Sequence, residues 1–298
     1  MSIMKSAVLM SVAITYSVSL SAAPITFNTA LPVGKGEFLF RQQLVINQSG
    51  DDPGTTNRDR TEQSYVTAMG YGINSKWSVF GILPYRNIDF DQSLSGIRSR
   101  RSNQQFGDLS VFARYSHFQV NQRGKTFRVA SFLGVKLPSG SDNRRDAIGI
   151  LPPPLQTATG STDVFGGFVA TYQTLKYQLD GQISYRVNNE ANNFEAGNVL
   201  RLDGSLQYRL WHSKAAQGLP DYLYGVFEVN IVNQSKNRVN NISDQNSNGT
   251  RIFLSPGIQY VTKRWILEGG VQIPVSQNLN GSALENDYIV RAGLRFNF

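Results

Sequence analysis

The run Tyr177-Gln178-Leu179-Asp180-Gly181-Gln182-Ile183-Ser184-Tyr185-Arg186-Val187-Asn188 sets the reading of the whole chain. Successive side chains of an extended backbone point to opposite faces. Tyr177, Leu179, Ile183, Tyr185 and Val187 therefore share one face, and Gln178, Asp180, Gln182, Ser184, Arg186 and Asn188 the other. The pattern returns downstream, where Leu200, Leu202, Leu206, Tyr208 and Leu210 oppose Arg201, Asp203, Ser205, Gln207 and Arg209. It returns again at the C-terminus, where Tyr288, Val290, Ala292, Leu294, Phe296 and Phe298 oppose Arg291, Gly293, Arg295 and Asn297. No helical period of comparable length competes with it.

Working outward, twelve such segments are expected, at about 36–48, 61–73, 77–88, 107–118, 126–137, 163–174, 177–188, 198–210, 221–233, 250–261, 265–275 and 287–298. Two folds bury one oily face of such strands: a soluble sandwich against its second sheet, and a membrane barrel against lipid. The connections discriminate between them. Long polar links at 49–60, 89–106, 138–162, 189–197, 234–249 and 276–286 alternate with short ones at 74–76, 175–176 and 262–264 and moderate ones at 119–125 and 211–220. Strict alternation is expected of an all-β, transmembrane, antiparallel up-and-down barrel of about 12 strands, with short periplasmic turns and long extracellular loops. Pro84, Pro256 and Pro274 fall inside proposed strands and predict bulges or shifted boundaries, since proline removes a ladder donor. Ten strands, or a different closure near 61–90, stays open.

Composition agrees. No segment after the N-terminus of the 298-residue chain offers the roughly 20 apolar residues of a membrane helix, whereas a barrel strand needs only about 9–11 with one apolar face. With no cysteine, disulfides, thiolate catalysis and cysteine-held metals are excluded. The charge of +8 is scattered, and its one run, Arg98, Arg100 and Arg101, falls in an expected loop, so no nucleic-acid partner is indicated. At the start, Lys5, the apolar Ala7–Leu20 and Ser21-Ala22-Ala23 read as a secretory signal peptide over 1–22, cleaved near 21–23, leaving a barrel domain over 23–298.

Trp77 and Trp265 open strands directly after short turns, and Trp211 follows a strand at the same end. With Tyr71, Phe118, Phe127, Tyr260 and Phe298 they form an expected aromatic girdle at one membrane interface. Parity places Arg41, Arg86, Arg114, Arg128, Lys136, Arg186, Arg201, Arg209, Arg251, Arg291 and Arg295 in the lumen, against Glu37, Asp108, Asp180, Asp203, Glu228 and Glu268. Excess arginine predicts either a preference for anionic or electron-rich solutes or a salt-bridge network that fills a narrow tube.

Phe106-Gly107-Asp108-Leu109-Ser110, Ala113-Arg114-Tyr115, Gly134-Val135-Lys136-Leu137-Pro138-Ser139-Gly140 and Thr159-Gly160-Ser161-Thr162-Asp163, in that order, resemble the outer-membrane family named for the meta-pathway of phenol degradation. Leu31-Pro32-Val33-Gly34-Lys35-Gly36-Glu37 and Leu83-Pro84-Tyr85 also resemble it. The resemblance implies one outer-membrane barrel acting as a transporter or channel, often associated with aromatic or other hydrophobic compounds. Phe298, closing an alternating strand, resembles the terminal signature read by the barrel-assembly machinery.

The expected protein is thus a passive channel in the outer membrane of a Gram-negative bacterium. Its expected partners are outer-membrane lipid, the assembly machinery during biogenesis and a small solute. The alternatives are an anion or acidic-oligosaccharide porin and a non-conducting structural or adhesion barrel. No cofactor and no catalytic set is expected, since His117 and His212 show no nucleophile–base pairing. Asp244-x-Asn246-x-Asn248-Gly249 begins like a calcium loop, but its twelfth position is Ser255 rather than a bidentate glutamate, so a polar loop is expected there. Loop 138–162, with Pro152-Pro153-Pro154, is placed to fold inward over the mouth.

Overall fold

The structure is a computed structural model that describes residues 22–94, 96–213 and 220–298. The expected signal peptide, apart from Ala22 at its end, lies outside the described residues. Thirteen strands form one antiparallel sheet: β1 (Phe38–Ser49), β2 (Asp59–Gly72), β3 (Trp77–Leu94), β4 (Ile97–Phe106), β5 (Leu109–Gln122), β6 (Lys125–Leu137), β7 (Asp163–Thr174), β8 (Tyr177–Val187), β9 (Val199–His212), β10 (Tyr222–Gln234), β11 (Gly249–Val261), β12 (Trp265–Leu279) and β13 (Tyr288–Asn297). β4 pairs with the upper half of β3 and β5 with its lower half, so the two form one stave and the wall has twelve. β1 pairs with both β2 and β13, which closes the ring. Closure leaves no sheet edge, the condition for crossing lipid by strands.

Parity explains the wall. Ile183 lies opposite Phe168 on one side and Leu202 on the other, and all three face outward and are exposed. Their inward neighbours Gln182 and Asp203 are buried. Trp77, Trp211, Trp265 and Phe298 all lie exposed at the short-turn end, the periplasmic end of such a barrel. There Trp77 packs on Tyr115 (ring centroids 4.7 Å), Trp265 on Tyr260 (5.5 Å) and Phe298 on Phe38 (5.8 Å). Tyr71, Phe118 and Phe127 join the belt, each exposed.

Two expectations are corrected. The link 89–106 is not an irregular loop: β3 continues to Leu94 and β4 returns from Ile97, so Arg98, Arg100 and Arg101 lie on a paired strand beyond the main wall. Arg100 reaches Asp89 at 3.0 Å and Arg98 lies 3.7 Å from Asp91, which masks the strand as a polar run. The moderate link 119–125 shrinks to Arg123-Gly124, with Gly124 at φ 76°. The prolines mark ladder faults: pairing of β3 skips from Ile82↔Ser110 to Tyr85↔Phe106 around Pro84, and that of β11 with β12 skips Ser255 and Pro256. Pro274 adjoins a one-residue slip between Ile252 and Phe253.

The long loops cluster at the other end. Type I′-like Asn192-Asn193 and Asn240-Asn241, all at positive φ, turn two short hairpins that pair as a four-stranded sheet. Loop 138–162 folds inward: Leu151 and Leu155 pack on the lumen-facing Ile88, and Asn103 donates to the Leu155 carbonyl at 2.9 Å. Gly107 lets the loop backbone approach, since a Cβ there would lie 2.8 Å from the Thr157 carbonyl oxygen. Arg101 clamps the loop tip through the Asp146 carboxylate (2.7 and 2.9 Å) and the Gly149 carbonyl (3.1 Å). Arg101 chiefly, and the Ile148 and Gly149 amides, hold the Asp146 carboxyl down at about 2. A lowered folded pKa contributes above the ordinary value of 3.8 and is lost as pH falls through about 2, so the clamp is fully charged at neutral pH. Arg101→Ala is expected to speed trypsin cleavage after Arg144 or Arg145 while leaving the barrel core resistant; an unchanged digestion rate would show that the clamp does not hold the loop.

Candidate functional site

The candidate site is the lumen, and its chief feature is a segment the sequence reading left unassigned. Residues 22–33 enter the barrel and run around its inner wall. Ala23 exchanges hydrogen bonds with Gln259 on β11 (3.2 and 2.7 Å). The Ile25 and Thr26 amides donate to the Glu228 carboxylate on β10 (2.7 and 3.1 Å). Asn28 N–H donates to Gln182 on β8 (3.3 Å) and Ala30 N–H to Thr171 on β7 (2.8 Å). Arg114 on β5 donates to the Thr29 and Leu31 carbonyls, each at 2.6 Å. Arg41 on β1 donates to the Ile25 carbonyl at 2.7 Å. An irregular backbone in a barrel needs partners for its peptide groups, and side chains of the polar wall supply many of them.

This insert accounts for the buried wall. Gln207, Gln259, Asn230 and Thr171 are 0 % exposed although they face the lumen. Glu228 also accepts from Ser205 at 3.1 Å, and its cross-strand neighbours are Ser205 and Ser255. With no base beside it, an inward carboxylate needs donors from elsewhere, which was the available sequence signal for something entering the tube.

The predicted lumen residues fall into distinct groups. Glu268 accepts from Arg41 at 2.7 Å and Gln259 at 3.0 Å, and lies 3.7 Å from Arg295. Arg291 donates to Gln272 (2.8 Å) and Gln43 (3.1 Å). Arg201 pairs with Asp203 at 2.9 Å, and Asn230 donates to the same carboxylate at 2.9 Å. Asp180 accepts from Thr171 and Gln178. Lys136 lies 2.6 Å from Asp163 and 3.3 Å from Asp108, whose oxygens also accept from Gly140 and Thr159 of loop 138–162. These three thus anchor the loop's base. Arg86 lies 3.5 Å from Glu62. Arg251 donates to the Leu284 carbonyl near the loop end, Arg128 is half-buried beside Thr126, and Glu37 lies just before β1.

The inner wall is not charged throughout. Inward positions on β2 to β7 carry Val66, Ala68, Phe80, Ile82, Phe112, Ala130, Phe132, Phe165 and Val169. Phe112 packs on Phe80 (4.7 Å), Phe132 (6.0 Å) and Phe165 (6.1 Å). Arg114 lies over Phe80 at 4.8 Å and Arg186 over Phe165 at 5.5 Å; Arg209 lies over Tyr222 at 5.2 Å, on the other side of the ring. In the turn-side halves of β2 and β3 both faces are largely apolar, one meeting lipid and the other this aromatic row, so period-two alternation is weak there. The lumen is therefore two-sided: aromatic on β3 to β7, amide- and carboxylate-rich on β8 to β13.

Among the described residues no three His, Asp or Glu side chains gather to hold a metal. Asp244, Asn246 and Asn248 are engaged in loop hydrogen bonds with Asn246, Ser282 and Ser235 respectively.

A family profile described as "Putative MetA-pathway of phenol degradation" matches residues 48–280. No curated protein sequence matches the chain. Among solved structures, the COG4313 outer membrane channel from Pseudomonas putida F1 is similar at TM-score 0.66 and 11 % identity, over 93 % of this chain and 100 % of that one. The transport unit of the autotransporter AIDA-I from Escherichia coli is similar at TM-score 0.48 and 12 % identity, over 87 % and 90 %. The first of these shares the closed outer-membrane barrel fold with this chain.

Proposed function

The chain belongs to that phenol-degradation family and has an outer-membrane channel fold, and from this premise we propose that it conducts small aromatic or apolar compounds passively across the outer membrane. One observation carries the reading: the row Phe80, Phe112, Phe132 and Phe165 faces the lumen rather than lipid. A water-filled porin has a polar interior, and stacked rings along one wall favour a solute with an apolar face. The similar Pseudomonas putida protein is named a channel, which fits a conducting role here. Movement follows the gradient, with the inserted segment as the barrier within the tube.

A second reading, an anion-selective porin, is favoured by Arg114 and Arg291, which donate to neutral groups and among the described residues have no carboxylate within 4.0 Å. Vesicles with a lipopolysaccharide leaflet, which slows apolar solutes, separate the two. With the protein present, uptake of labelled toluene and phenol is expected to exceed that of empty vesicles, with no comparable gain for monosaccharides or chloride. Faster entry of chloride and acidic sugars without a gain for aromatics would favour the porin; no gain for any solute would leave a non-conducting barrel.

A further inference from the structure

A cavity of about 160 Å³ lies between the inserted segment and the wall near the turn end. Its apolar surface includes Phe27 of the insert and Phe80 and Phe112 of the wall, and three guanidinium groups reach it, Arg41, Arg114 and Arg295. An apolar protein cavity of about 150 Å³ accommodates benzene, so this volume suits a single six-membered ring.

The charges around the cavity do not balance. Arg41 and Arg295 share one carboxylate, that of Glu268, at 2.7 Å and 3.7 Å. Arg114 is 5 % exposed and donates only to the Thr29 and Leu31 carbonyls; among the described residues no carboxylate lies within 4.0 Å of it. Arg295 is 7 % exposed, and its Nε is buried without a hydrogen-bond partner. Asn297, whose side-chain oxygen is also buried and unpartnered, adds a neutral polar group to the lining. A buried donor left unmade is costly, and a buried cation more so. Ring-sized apolar walls and an excess of buried guanidinium call for one ligand chemistry: a flat hydrophobic body bearing a single negative charge.

We propose that this cavity is a binding site for a small one-ring aromatic carboxylate, its ring against Phe27, Phe80 and Phe112 and its carboxylate toward Arg295 and Arg114. The site rests on the reading of the lumen as a route for aromatic compounds and narrows it to their acids. A carboxylate accepts from guanidinium in the strong, charge-assisted geometry that the insert's neutral carbonyls replace only in part.

Titration calorimetry on the full mature protein in detergent tests this, with benzoate, benzyl alcohol and acetate as probes. Benzoate is expected to bind more tightly than either the uncharged ring or the ringless anion. Arg295→Gln is expected to weaken benzoate binding roughly tenfold, the scale of one charged hydrogen bond, and to leave benzyl alcohol unchanged. Equal affinity of the wild-type protein for benzoate and benzyl alcohol would overturn the proposal without any variant, as would an equal effect of Arg295→Gln on both. The vesicle experiment reads transport separately: aromatic uptake without benzoate binding removes this site alone, and benzoate binding without uptake removes the channel reading.

Discussion

Deleting residues 25–33 is expected to raise single-channel conductance in planar bilayers by roughly tenfold, because a twelve-strand tube is wider than its own side chains fill and the insert occupies the difference. The wall offers the segment at least eight hydrogen bonds from six side chains on six strands, so it is not a loosely held tail. The deletion keeps Ala22 and Ala23 and changes no residue of the wall. Glu228→Leu is the milder version. It leaves the Ile25 and Thr26 amides without their carboxylate, at about 1–3 kcal/mol each, and brief openings are expected at wild-type maximal conductance rather than a permanently wide pore. If the deleted protein folds and conducts no better than the intact one, the insert is not the barrier and loop 138–162, packed on Ile88, becomes the alternative.

The second large effect concerns the outer face. Ile183 stands midway along β8, flanked by Phe168 and Leu202 on the neighbouring strands. Ile183→Arg is expected to destabilise the barrel by about 2–4 kcal/mol, the cost of a guanidinium at the bilayer midplane. Ser184→Asp, one residue away, faces the lumen opposite Arg201 and is expected to change stability by less than about 1 kcal/mol, as an opposite-charge cross-strand pair does. Denaturant unfolding in lipid vesicles measures both. Equal effects at the two positions would mean that the face assigned to lipid is not in contact with it.

Both expectations come from alternation that was legible in the sequence wherever lumen and lipid demanded opposite chemistry. β8, β9 and β13 are of this kind, because amides and charges line their inner side and the outer side needs only hydrocarbon. Legibility failed where that contrast fails. On β2 and β3, Ala68 and Ile82 face inward toward an aromatic row, so neither face declares itself. β4 failed for the opposite reason: beyond the main wall both faces are polar, and Arg98, Arg100 and Arg101 give an extended strand the composition of a loop. The insert was illegible because its structure is not local. Ala23 to Val33 has no period of its own, and apart from Arg41 and Gln43 on β1 its wall partners are 83 to 236 residues away along the chain. Parity did place Glu228, Glu268 and Arg114 inward. What it could not supply is that two of the wall's charged groups, Glu228 and Arg114, answer to backbone peptides of the insert.

The seam where the ring shuts has an implication for biogenesis. Arg41 on β1 stands directly opposite Arg295 on β13, a like-charged pair at the junction of the first and last strands. Such a pair resists zipping. Glu268 on the adjacent β12 offsets both, and Arg41 simultaneously grips the Ile25 carbonyl. Sealing of the cylinder and seating of the inserted segment are thereby tied to one guanidinium, so a change at Arg41 is expected to loosen the seam and the insert together.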